Sequence, residues 1–213
     1  MRLSPSSPEE AAPRRRRERL APDVRRAAIL EAAAAQSLEG GVLPLSPEAL
    51  ARQLGVSKAL IYSYFPTQYD LLNALLLVCL DELETAGLDQ ALAGSSADKV
   101  AHAAGLLYFD HVLQRGPLLH LVMDDLYMAG HLSREVQARR DRVYRRLARL
   151  VRRDLRLDAE AGLVAINLVM TIPEEAGRRV RLGQLEADVG RAVCAELLAS
   201  AIRGLTPDRA KGA

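Results

Sequence analysis

Between Ser46 and Thr67 the chain reads SPEALARQLGVSKALIYSYFPT, a stretch crowded with side chains that can donate hydrogen bonds outward. Lys58, just after Ser57, carries an ammonium that can reach guanine O6 and N7 or a phosphate oxygen. Tyr62 and Tyr64 follow two residues apart, and tyrosine hydroxyls are phosphate donors. On a helix such a pair diverges by about 160°, so the two rings cannot share a core face and at least one hydroxyl is expected at the surface. Tyr62, Tyr64, Phe65 and Tyr69 are half of the chain's eight Phe and Tyr residues. A purely structural role for Phe65 does not explain that density. Ser46 and Thr67 stand at expected helix starts, where hydroxyl and backbone N–H groups face an anion together, and Arg52 projects from the first helix. Leu60 either touches a thymine methyl or packs inward.

These donors act together only if rigid elements hold them. Ser46 is an expected N-cap with Pro47 at the first helical position, and Ala49, Leu50 and Leu54 form an apolar stripe. Gly55 ends that helix, because glycine adopts the left-handed C-cap conformation without steric cost. Ser57 then caps a second helix carrying Leu60, Ile61, Tyr62 and Tyr64. Two short helices with a Gly-Val-Ser turn can be ordinary packing in an all-α protein, but the aromatic density favours a helix-turn-helix whose second helix enters a DNA major groove.

The run from Arg26 to Leu72 resembles the DNA-binding region of the TetR family of bacterial transcriptional regulators. Its matching pieces are RRAAILEAAA, LSPEALARQLGVS, KALIYSYF and PTQYDLL. The resemblance implies phosphate contacts at Tyr62 and Tyr64, a ligand pocket in a second helical domain, dimerisation through the last two helices, and repression relieved by ligand. Two departures stand out. The family's aromatic core residue near Ser37 is missing, and Gln68 occupies the place of a lysine that meets phosphate. The first implies altered packing, the second a weaker or absent phosphate contact. Leu60 also stands where the family commonly has a small or polar residue.

Composition supports an all-α protein; the resemblance implies that it is built as an N-terminal three-helix helix-turn-helix domain and a C-terminal helical ligand-binding and dimerisation domain. The 213 residues suffice for a substantial core, and the formal net charge is only +2. Charge is instead local. Residues 14–26 hold seven arginines against two acids, and 134–156 hold ten against three. The expected organisation is a disordered basic arm over 1–21, the DNA-binding domain over 22–68, the effector and dimer domain over 69–205 and a flexible tail over 206–213. The arm is either a solubilising tail or a further DNA contact. The arginines near 134–156 are expected on a solvated face, some paired with Glu174 or Glu175.

In the second domain, helices are expected over 97–114, from Pro117 to Met128, from Leu132 to Leu155, and from Leu185 to Arg203. Asp158 caps an apolar segment that Pro173 kinks or ends. That segment is apolar almost all round between Gly162 and Ile172, so burial on several sides is expected. Val189, Val193 and Leu197 give the last helix a stripe. Candidate effector contacts are Tyr108, His111, His120, Met123, Asp124, Tyr127, Met128, Asn167 and Met170, a mixture suited to a mostly apolar small molecule with few polar anchors. Asn167 can equally bond a neighbouring helix.

An enzyme is the rival class, with a ligand-independent architectural DNA binder as a third. The sequence holds no glycine-rich phosphate loop, nucleophile elbow or His-Glu zinc pattern, and His102 and His111 point to opposite sides of one helix. No enzyme activity, cofactor or metal is expected. Cys79 and Cys194 lie in apolar runs and read as buried thiols in a reducing cytoplasm. No run is long enough to span a membrane.

Overall fold

The computed structural model describes residues 21–40 and 43–207. The expected basic arm, apart from Ala21, and the tail beyond residue 207 lie outside them. Among the described residues there are helices and no strand.

The first domain begins with α1 (Pro22–Gly40), followed by α2 (Pro47–Leu54), α3 (Lys58–Tyr64) and α4 (Gln68–Thr85). Each helix from α2 to α4 starts where a hydroxyl satisfies an orphan N–H: Ser46 accepts from Ala49, Ser57 from Leu60, and Thr67 from Asp70. Gly55 ends α2 with φ 62°, as its place in the pattern requires. Ile29, Ala33, Leu50, Ile61, Phe65, Leu72 and Leu76 meet in one core. Ser37 is fully buried in α1, where its hydroxyl donates to Ala33 O at 2.9 Å instead of filling space with a ring. Gln68 also turns inward, and its Nε2 donates to Leu45 O at 2.9 Å. The amide that replaces the expected lysine thus ties α4 to the segment entering α2.

The second domain adds α5 (Leu88–Leu92), α6 (Ala97–Arg115), α7 (Leu118–Met123), a 3-10 turn at Leu126–Met128, α8 (Arg134–Leu150), α9 (Ala159–Arg181) and α10 (Ala187–Leu205). The α5 turn lies in what reads as a polar connector. Leu88 and Leu92 sit four residues apart and reach the core, which is enough for one turn. The segment expected as one helix from Pro117 to Met128 is broken after Met123, where Asp125 caps the 3-10 turn by accepting from Tyr127 N. After Leu150 the chain widens into a π-helical turn, Val151–Leu155, which keeps Val151 and Leu155 buried. Its Asp154 accepts from Ala97 N at 2.7 Å, pinning the start of α6.

Pro173 does not end α9. The helix runs through it to Arg181, because the turns on either side are held against α6 and α10 by Ile166, Ile172, Ala176 and Gly177. The acids that meet the arginines of α8 also differ from those expected. Arg139 pairs with Asp81, Glu84 and Glu135, and Arg142 with Glu84, whereas Glu175 pairs with Arg178 and Arg179 of its own helix. Arg139 and Arg142 face α4, so its acids are the ones within reach.

Three features join the domains. Leu118 and Val122 of α7, with Met128 and Val136, complete the core of α1 and α4. Beside them Arg115 forms a clamp: Nε lies 2.9 and 3.0 Å from the Glu82 oxygens of α4, and Nη1 lies 2.6 Å from Glu31 of α1. Asn73 adds a further tie, donating to His131 O and accepting from Ser133 N.

The α6–α9 contact needs glycine at residue 177. A Cβ there would lie 2.9 Å from Val112 Cγ1 and 3.0 Å from the Phe109 carbonyl oxygen. Gly177→Ala gains about 0.5–1 kcal/mol in helix preference but incurs roughly 1–3 kcal/mol of overpacking. A lower urea midpoint is expected. Gly204→Ala, with nothing within 4 Å of its Cβ, is expected to leave the midpoint unchanged or raise it.

Candidate nucleic-acid interface and internal cavity

α3 is held from behind by Ile61 and Phe65, which are 3 % and 4 % exposed. Its other side is open: Ser57, Lys58 and Ser63 are exposed, and Tyr62 is 39 % exposed. Tyr64 and Leu60 are half-buried, so the two tyrosines do diverge and Tyr62 is the outward one. Ser46 and Arg52 are exposed, at the start of α2 and along it. Thr67 is exposed, but its hydroxyl donates to Asp70 Oδ2 at 2.8 Å within a capping box. Its Oγ1–H is therefore committed inside the chain. Lys58 is ion-paired with Glu48 of α2, which raises the lysine pKa and lowers that of the glutamate through the hydrogen bond between them. The pair is solvent-exposed, and a polyanion can displace the carboxylate.

A cavity of about 290 Å³ lies between α4 and the helices from α5 to α10. Leu83, Val100, Leu147, Leu155 and Ile202 are among its apolar walls. Six of the nine expected effector contacts line it: Tyr108, His120, Met123, Asp124, Asn167 and Met170. Three do not. His111 lies outside the cavity and stacks near Tyr108, Tyr127 stacks on Tyr69 at 4.8 Å, and Met128 is wholly buried in the first domain's core. The break after Met123 explains the last two, because the chain there turns toward α4. His111 points from α6 toward Glu82, and burial lowers its pKa.

The polar lining includes groups that sequence reading missed, notably Arg140, Tyr144 and Glu174. Tyr144 donates to Asn167 Oδ1 at 3.0 Å, giving that asparagine the helix-to-helix partner that was one of its two expected roles. Tyr108 donates to Glu174 Oε2 at 3.3 Å. His120 Nδ1 lies 2.9 Å from Asp124 and 3.9 Å from Glu174. Glu174 was legible as an acid one turn beyond Met170, on the side of α9 that faces α6. Both thiols are buried, and burial pushes Cys79 up to about 12 and Cys194 up to about 11. Among the described residues no cluster of His, Cys, Asp and Glu could hold a metal, and no helix is long and apolar enough to cross a membrane.

Residues 29–75 match the family model for bacterial regulatory proteins of the tetR family. A TetR-like transcriptional regulator from Rhodococcus sp. RHA1 shares the fold over 88 % of this chain and 98 % of its own, with TM-score 0.62 and 25 % identity. Residues 29–75 form a DNA-binding domain of the tetR-family type, and the chain is a DNA-binding transcriptional regulator. Two other solved structures share its fold. PfmR, a TetR-family regulator from Thermus thermophilus, is 24 % identical, with TM-score 0.59 and coverage of 84 % and 99 %. The ketosteroid transcriptional regulator KstR2 of Mycobacterium tuberculosis is 16 % identical, with TM-score 0.60 and coverage of 86 % and 96 %. No curated protein matches the chain.

In this regulator, burial holds the Glu174 carboxyl above the ordinary glutamate value; Asp124 and Glu175 push it further up, while His120 and Tyr108 oppose the shift. The folded state therefore keeps this proton to higher pH than the unfolded state. Stability is lost as pH rises from the ordinary value through the raised one, and the full loss applies above it. Glu174→Gln is expected to raise the melting temperature at neutral pH. The gain over the parent protein should close as pH falls below the ordinary glutamate value of 4.5.

Proposed function

We propose that the protein is a homodimeric repressor that leaves a palindromic operator when a mostly apolar small molecule fills the cavity. The observation that carries this reading is the double role of α7. Leu118 and Val122 belong to the core of the DNA-binding domain, while His120 and Met123, with Asp124 at the helix end, line the cavity. A ligand that favours one placement of α7 shifts the DNA-competent population by its difference in affinity for the two states. The cavity argues against a ligand-independent architectural protein, which has no need of one.

DNA is read from α3. Lys58 exchanges Glu48 for guanine or phosphate, and Ser57 and Leu60 lie beside it. Tyr62 and Tyr64 reach the backbone with Ser46, Arg52 and the N-terminal end of α4 at Thr67. The dimer forms through the outer faces of α9 and α10. Leu163, Val164, Leu168, Val189, Val193 and Leu197 are each 46–63 % exposed in the single chain, a larger apolar surface than a monomer usually shows to water. The expected all-round burial of the α9 segment is therefore not met within one chain. Gly162, Ile166 and Pro173 face inward, and the rest awaits a second subunit. Two-fold symmetry sets paired α3 helices about 34–36 Å apart or a multiple of that. Action on chromosomal DNA places the protein in the cytoplasm.

Selection from random duplexes is expected to return inverted repeats. On such an operator Tyr62→Phe and Lys58→Ala should each weaken binding about tenfold in gel shifts, the worth of one charge-assisted hydrogen bond, with the melting temperature unchanged. Unaltered affinity in both variants would remove α3's assigned role.

A further inference from the structure

The polar part of the cavity has an uneven charge balance. Tyr108, His120, Asp124 and Glu174 form one linked patch, joined at 3.3, 2.9 and 3.9 Å. It contains two carboxylates and one imidazole, so even a protonated His120 cancels at most one negative charge. Arg140 also borders the cavity, but its guanidinium turns to Asp141, 3.2 Å away on its own helix. Glu174 is the less solvated carboxylate, with its side chain 21 % exposed, whereas Asp124 is 61 % exposed and stands with His120 where the cavity meets solvent. Its Oε2 accepts a hydrogen bond from the Tyr108 hydroxyl, and its Oε1 has no hydrogen-bond partner among the described residues. The remaining wall is mostly apolar.

A buried carboxylate without a full counter-charge is costly unless something pairs with it. An anionic ligand would add like charge, and a neutral alcohol would leave Glu174 uncompensated. We infer that the cavity takes a lipophilic organic cation, its ammonium resting against Glu174 and Asp124 and its apolar body among Leu83, Leu147 and Ile202. This rests on the reading of the cavity as the effector site and narrows it to one chemical class. Burial shifts the Glu174 carboxyl above the ordinary glutamate value, and an ammonium in contact favours its ionised form. The aromatic faces of Tyr108 and Tyr144 suit the same ligand, because their ring faces attract cations.

The test uses three molecules with one carbon chain and three charges: octylamine, octanol and octanoate. Each is titrated calorimetrically into the full-length protein at neutral pH. Octylamine is expected to bind at least about tenfold more tightly than octanol, the worth of one charge-assisted hydrogen bond, and octanoate is expected to bind most weakly. The double variant Glu174→Gln, Asp124→Asn should lose the preference for the amine and keep its octanol affinity, which also shows that the cavity is intact. Equal binding of octylamine and octanol, a preference for octanoate, or an amine preference that survives in the double variant overturns the cation while leaving the cavity reading in place. Failure of all three molecules to bind overturns both.

Discussion

The packing of α7 is the constraint on which the rest of the structure depends. Val122 and Leu118 are 0 % and 1 % exposed, and they fill the same core as Leu72 and Leu76 of α4 and Ile29 of α1. Burying side chains of this size contributes roughly 1.5–3 kcal/mol each, so α7 cannot move without the first domain responding. Yet α7 has only six residues and turns His120 and Met123 into the cavity. A helix that short has no independent stability. Its position is set by the two surfaces it joins, which is the property a two-state element requires.

The Arg115 clamp and the Asn73 ties work beside α7. Arg115 binds acids on α1 and α4 from α6, and Asn73 fixes α4 to the residues that lead into α8. These polar contacts have strict geometry and no tolerance for sliding, whereas apolar packing permits small shifts. They limit the directions in which α1 and α4 can follow α7. Glu174 contributes the opposite quality, since its ionised form weakens the fold. Groups that cost stability in a cavity are commonly those that serve binding.

Much of the first domain was legible in the sequence because its signals are local. Ser46, Gly55, Ser57 and Thr67 set helix ends through contacts within a few residues of themselves, and Ile61 and Phe65 follow from period and type. The outer stripe of α10 was legible for the same reason. The cavity was only partly so. Met123 and Tyr127 are four residues apart and would share one face of a continuous helix, but the break at Asp124 sends Tyr127 to stack on Tyr69. That break depends on the packing of Met128 in a distant core. Glu174 and Arg115 were missed as site and clamp residues because their partners lie 33 to 84 positions away in the chain. Of the two outcomes expected at Pro173, a kink or an end, the end does not occur. A local rule against proline in helix interiors gave way to the packing of α9 on α6 and α10.

The central claim is that α3 and the cavity communicate through α7. Linkage is reciprocal, so operator bound at α3 must alter the cavity as much as a cavity ligand alters operator binding. Amide hydrogen exchange of the full-length protein, with and without its selected operator, reads this without knowledge of the effector. The account predicts changed exchange in α7 and through Asp124, far from any DNA contact, together with changes in α1 and α4. Exchange altered only between residues 43 and 73, with α7 unmoved, would contradict it.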